Sequence, residues 1–242
     1  TVISFHALGW LAGIAAAGIA SDLKLIFIIS AASFIVGLIF TIKLPNPKQK
    51  KEIKPGTTKQ VILKNKFLFL SLLLRHIGAA AVWTILPIMI IEKWGGDLYH
   101  ISIVYVANTV TAFILMNVMA SKIKLSNVTK FKIGIGFTTF VFVGLSFVTE
   151  WWMAMPFMSL VGATWAFLFI GGNFHLMENN PRSTSTGIFS STLSIATVIG
   201  PIVAGSIAYV FDYISVMYFA IVIIVCAFIV SLKIKNEVKI ER

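Results

Sequence analysis

A single cysteine, Cys226, stands in a chain of 242 residues, so neither a disulfide framework nor a cysteine metal cluster is available. It falls inside an apolar run and is expected to be an inert packing residue. Charge is scarce too: 12% of residues are charged, against about 25% in a soluble domain. The nine acids are Asp22, Glu52, Glu92, Asp97, Glu150, Glu178, Asp212, Glu237 and Glu241, and all fall in loops or at the ends of apolar runs. No carboxylate is placed mid-run to relay protons. Nor does the sequence show a nucleophile beside a base, or clustered acids for metal-bound phosphates, as hydrolases and transferases need. The chain reads as a non-enzyme that needs no cofactor and no metal.

What the sequence has in excess is apolar surface. Hydrophobic residues make up 58% of it, and the mean hydropathy is +0.93. A single water-surrounded core could not hide that much in a chain this short. Eight runs reach spanning length: Ile3–Ala20, Leu25–Ile42, Phe67–Ile91, Tyr99–Ser121, Phe131–Thr149, Trp151–His175, Thr186–Val210 and Tyr213–Leu232. An apolar stretch of about 20 residues crosses a bilayer as a helix. None of the runs alternates with period two, so they read as helices and not barrel strands. The first has no basic start, so it does not resemble a signal peptide. The chain opens on Thr1, and further residues are expected before it. The fold class is an all-α polytopic membrane protein with eight transmembrane helices.

A net charge of +11 could signal nucleic acid, but its distribution argues for a membrane. Assigning alternate loops to opposite sides puts seventeen basic residues on one side and only Lys24 and Lys93 on the other. Basic loops stay inside, so the loops after the second, fourth and sixth runs, and the C-terminus, are expected to be cytoplasmic in a multi-pass protein of the cell membrane. Trp94, Trp151 and Trp152 fall at the outer boundary and are expected to be interfacial anchors.

The longest connection, Lys43–Lys66, holds eight lysines, three prolines and one glycine, the composition of a solvated linker. It divides the chain into 1–42 with two helices, the linker 43–66, and 67–242 with six. An internal repeat fits this division. Gly9, Gly13 and Ala17 on the first run match Gly200, Ala204 and Ala208 on the seventh at a constant offset. Spacing by four places each trio on one stripe, where helices can approach closely. Parallel repeats of six helices are a transporter plan, which makes the first pair the end of one half whose other helices lie upstream.

The stretch NPRSTSTGIFSSTLSIATVIGPIVAG (Asn180–Gly205), with Arg182, Gly187, Ala196, Gly200-Pro201 and Ala204-Gly205, resembles the entry into the eleventh helix of the major facilitator superfamily. LRHIGAAAVWTILPIMI (Leu74–Ile90) is similar to the seventh helix of its prokaryotic efflux-like members. The resemblance covers the chain as helices five to twelve of a twelve-helix, two-half bundle. It implies secondary transport by alternating access. Two motifs depart from the family: Ser121 stands where an aspartate belongs, and the fifth helix carries Gly9-Trp10 in place of a Gly-Pro step.

Arg75 and His76 are the residues that an apolar run does not explain. They lie about 12 Å inside theirs at 1.5 Å per residue, where an arginine costs roughly 2.5–3.5 kcal/mol even on insertion scales. His76, Trp83 and Pro87 share one helix line, with Arg75 about 100° away. Two readings are open for Arg75. It either snorkels toward the cytoplasmic lysines or bonds a neighbouring helix, or it lines a water-filled cavity. His76 is either a packed neutral imidazole or a cavity group. Tyr105, Asn108 and Thr109 share a face of the fourth run, as Trp165 and Asn173 do on the sixth; such groups serve as helix–helix bonds or as ligand contacts. The Ser/Thr cluster Ser190–Thr197 is expected to pack, and His6, His100 and His175 to sit at interfaces. The candidate substrate-binding set is Arg75, His76, Trp83, Asn108 and Trp165. The expected partners are the bilayer, a small-molecule substrate, protons or another coupling ion, and upstream helices of the same chain. Efflux of drug-like amphipathic compounds is the first functional reading, and a small organic anion held by Arg75 is the alternative.

The orientation is testable. Single cysteines at Lys54 and Asp97, in a Cys226→Ala background, are expected to be closed and open respectively to an impermeant external thiol reagent. Labelling at 54 but not at 97 would invert the topology.

Overall fold

The computed structural model describes residues 2–20, 23–43 and 58–235, and all regular structure among them is helical. The elements are α1 (Val2–Ala20), α2 (Leu23–Ile42), α3 (Thr58–Lys64), α4 (Lys66–Glu92), α5 (Leu98–Ser121), α6 (Asn127–Leu145), a 3-10 turn (Trp151–Met153), α7 (Ala154–Asn179), α8 (Arg182–Val210) and α9 (Tyr213–Leu232). Among the described residues, seven helices are long and apolar enough to cross a membrane; α1, the eighth of the apolar runs expected from the sequence, spans 19 residues. The ends are set by polar side chains. Asp97 and Asp212 stand immediately before α5 and α9 and accept from the amides of His100 and Ser215 at 3.0 and 2.7 Å. These bonds hold both carboxyls below their ordinary value, through the His100 backbone amide for Asp97 and the Ser215 side chain and amide for Asp212. A depressed carboxyl stabilises the fold above its ordinary pKa and loses that contribution as pH falls through the folded value.

The six helices α4–α9 form an open ring. α8 packs on α4, α4 on α9, α9 on α6, α6 on α7 and α7 on α5, while α4 meets α5, and α7 meets α8, only lightly. The ends fall on two rims. At one, Lys132 Nζ donates to the Ile234 carbonyl at 2.9 Å, and Lys233 lies over Phe67 at 5.6 Å. At the other, the Tyr213 hydroxyl donates to Glu92 at 3.1 Å, and the Trp151 amide to the Trp94 carbonyl at 3.3 Å. The first rim gathers Lys66, Lys122, Lys124, Lys130, Lys132, Arg182, Lys233 and Lys235. The second holds Lys93 among Glu92, Asp97, Glu150 and Asp212. The linker expectation needs refining where the structure describes it: Thr58–Lys64 is a helix with Val61 buried, and Asn65 closes it by donating to the Val61 carbonyl. Lys54 and the rest of 44–57 lie outside the described residues, as do Thr1, Asp22 and 236–242.

Apolar side chains gain little from each other in lipid, so tight helix crossings decide the packing. Small residues supply them. Gly200 of α8 is pressed to α4, where a Cβ would lie 2.6 Å from Ala80 Cβ, 2.9 Å from the Ala81 nitrogen and 2.9 Å from the Ile77 oxygen. Gly134 and Gly171 do the same for α6 and α7, facing the carbonyls of Thr164 and Asn127. The two stripes of the sequence repeat therefore differ. Gly200 and Ala204 are buried, whereas Gly9 and Gly13 have open space where a side chain would be.

α1 reaches the ring by lying against α5, with Gly18 opposite the Ser102 side chain. α2 touches α1 lightly and exposes nearly all its side chains. Between the two runs a groove of about 1150 Å³, walled by Gly9, Trp10, Gly13, Ser30, Phe34 and neighbouring residues.

Three expectations about single residues change. Cys226 is exposed on α9 and not packed, because the buried face of that helix is Val216, Met217, Ala220, Ile224, Ala227 and Ser231. Trp94 is buried inside the rim, while Trp152 is exposed as an anchor would be. In the cluster from Ser190 to Thr197, Thr192 packs, but Ser190, Ser191, Ser194 and Thr197 are exposed.

Gly200→Val is expected to destabilise by about 1–3 kcal/mol, the usual cost of overpacking. Gly205→Val, where nothing lies within 4 Å, is expected to be silent. Thermal melting in detergent separates them, and equal melting would remove the α4–α8 crossing as a constraint.

Candidate functional site

The cleft between α4 and α7 is filled by rings around one cation. His76 and Trp83, two turns apart on α4, meet edge to face with centroids 5.3 Å apart. Trp165 enters from α7, stacks on His76 at 5.5 Å with planes inclined by 30°, and lies 5.6 Å from Arg75 Cζ. The ring series continues inward through Phe169 to Phe189, at 5.2 and 5.5 Å. Outward it passes from Trp83 to Trp10 of α1 at 6.5 Å, and Trp10 is half exposed on the groove between α1 and α2. A row of rings thus leads from the surface of the bundle to Arg75.

Arg75 is fully enclosed, with no exposed surface. Its head turns neither to the lysine rim nor into open water, but toward α6, where Nη2 donates to Thr138 Oγ1 at 3.3 Å. The Thr138 hydroxyl itself donates to the Gly134 carbonyl at 2.6 Å, which leaves its lone pairs facing the guanidinium. Arg75 Nε and Nη1, His76 Nδ1 and Trp83 Nε1 are buried without a hydrogen-bond partner among the described residues. Removing an ion from water costs several kcal/mol. One long bond to a hydroxyl, worth about 1.5–3 kcal/mol for a charged donor, and a cation–π contact of about 2 kcal/mol offset part of that.

Pro87 has no amide, so the Trp83 carbonyl four residues earlier loses its helical donor. Tyr105 of α5 replaces it: its hydroxyl donates to the Trp83 oxygen at 3.1 Å. This bond crosses the lightly packed α4–α5 seam and fixes the backbone that carries the Trp83 ring.

Four of the five residues proposed from the sequence, Arg75, His76, Trp83 and Trp165, come together. Asn108 is buried on α5, where Gly162 of α7 packs on its carbonyl, and it makes no hydrogen bond to the other four. Asn173 and Thr109 bond carbonyls of their own helices, so they are not bridges. His100 caps α5 with Asp97 and lies 4.2 Å from Trp151 at the rim. His175 is buried, and the side chain of His6 lies outside those described. Sequence reasoning missed Thr138 and Trp10. Thr138 carries no signal beyond being a threonine in an apolar run. Trp10 could have been found by asking what a tryptophan does in the middle of a small-residue stripe. No protein-family model matches this sequence, and no curated protein does.

Tyr105→Phe is expected to cost about 1–3 kcal/mol by orphaning the buried Trp83 carbonyl. In a Pro87→Ala background, where residue 87 regains an amide, the same substitution is expected to cost clearly less. Additive losses in denaturant-unfolding measurements would show that the hydroxyl does not serve that carbonyl.

Proposed function

We propose that the chain is the C-terminal two-thirds of a two-half secondary transporter of the major facilitator type. It moves a small organic solute across the cell membrane by alternating access, with efflux of amphipathic compounds as the leading direction and class. The observation that carries this reading is the row of rings from half-exposed Trp10 through Trp83 to His76, Trp165 and Arg75. An amphipathic solute exchanges apolar surface with such rings while its polar end meets the buried nitrogens.

The rest of the bundle supports the same reading. The lightly packed α4–α5 and α7–α8 seams flank the site, and a carrier needs seams that part on alternate sides. The nearly bare α2 and the groove beside it fit a first pair that belongs with the upstream helices of another half. The basic rim supports a cytoplasmic linker and C-terminus.

Vesicles bearing the complete reading frame are expected to show saturable, gradient-driven flux of fluorescent amphipathic solutes. Trp83→Ala and Trp165→Ala are each expected to lower it at least tenfold while the folded protein persists in detergent. Absence of saturable flux across a panel of acidic, neutral and basic solutes would refute the transport reading.

A further inference from the structure

We infer that the interior site selects solutes that carry one anionic group, a carboxylate or its equivalent, on a flat apolar body. The inference assigns a substrate class to the transport site proposed above and rests on that reading. Its basis is an imbalance of donors and acceptors. Of the four buried nitrogens without a partner, Arg75 Nε, Arg75 Nη1 and Trp83 Nε1 can only donate, and His76 Nδ1 does either according to tautomer. Among the described residues, Thr138 is the one side-chain acceptor bonded to Arg75. A pocket of donors is matched by a group of acceptors, and a carboxylate offers about four lone-pair sites and no hydrogen.

Charge points the same way. No acid of this chain lies in the apolar part of any described helix; the described acids stand at the rims. Arg75 is nevertheless enclosed, so it would meet an anion where its charge is not screened by water. The same charge repels organic cations. The site is too deep for a lipid headgroup, about 12 Å along α4 from the apolar start at 1.5 Å per residue. The rings of His76, Trp83 and Trp165 then define what is attached to the anion. They are inclined to one another around the guanidinium, so a planar body can stack on one and meet another edge-on.

Because Arg75 is closed off in this conformation, binding requires a seam to open. An anion that reaches the guanidinium satisfies donors that the packed form leaves unpaired, so binding stabilises the form that admits it.

The test compares 1-naphthoate with its neutral counterpart 1-naphthamide by titration calorimetry on the purified complete chain in detergent. Naphthoate is expected to bind at least tenfold more tightly and to raise the melting temperature. Arg75→Gln is expected to bring the two ligands to parity without lowering the melting temperature of the ligand-free protein. Arg75→Lys is expected to recover part of the preference, since it keeps the charge but loses the planar donor set. Equal wild-type affinities, or a preference that survives Arg75→Gln, would overturn the inference. So would an Arg75→Gln chain that fails to fold, because the protein itself would then be the partner of the guanidinium. Preference in binding without flux in vesicles would uphold the anion and refute transport, whereas equal saturable flux of both ligands would uphold transport and refute the anion.

Discussion

A backbone carbonyl inside an apolar bundle must find a donor, and at Trp83 the helix cannot supply one because Pro87 has no amide. The Tyr105 hydroxyl meets that need across the α4–α5 seam. Much follows from this bond. α4 can carry a proline at membrane depth without leaving a buried acceptor unpaired, which would cost about 1–3 kcal/mol. The Trp83 ring is held where it meets both His76 and Trp10. Two helices that otherwise touch lightly share one directional contact, so parting them breaks a definite bond and not a broad packed face.

The opposite balance holds at Arg75. There the neighbouring helices provide less than the side chain needs: one hydroxyl, one aromatic face and an enclosure that excludes water. A bundle built only for stability would place a leucine in that position, since replacing buried ions by apolar residues is often neutral or stabilising. The surroundings are instead arranged about the ion. Thr138 is turned by its own bond to Gly134 so that its oxygen faces the guanidinium, and Trp165 is shared between Arg75 and His76.

How much of this was legible in the sequence depends on the range of the interaction involved. The helices were readable because each long apolar run, with polar residues at its ends, states its own length. The association of His76 with Trp83 was readable because seven residues bring a helix back to the same line. Trp165 was placed among the candidates because it shares a face of the sixth run with Asn173, but its stacking on His76 depends on how α7 is rotated against α4. That rotation follows from how α7 is seated on α5 and α6, through close crossings at Gly134, Gly162 and Gly171 that no single helix displays by itself. Thr138 was invisible for the same reason. The errors at Cys226, Trp94 and Ser190–Thr197 share a cause as well. An apolar run shows that a residue is in the membrane, but not whether it faces lipid or protein, and neither α8 nor α9 carries a strong polar stripe to tell the two sides apart.

The exposed thiol of Cys226 has a practical meaning beyond its failure to pack. It is the only sulfhydryl in the sequence, and it lies on the outside of α9 among apolar neighbours such as Val222, Val225 and Ile229. A nitroxide or fluorophore attached there would sample acyl chains at a fixed depth, on a surface away from the ring-lined cleft. Lipophilic reagents would reach it where water-borne ones do not. Within these 242 residues the label site is single, and it sits on an exposed apolar face of α9.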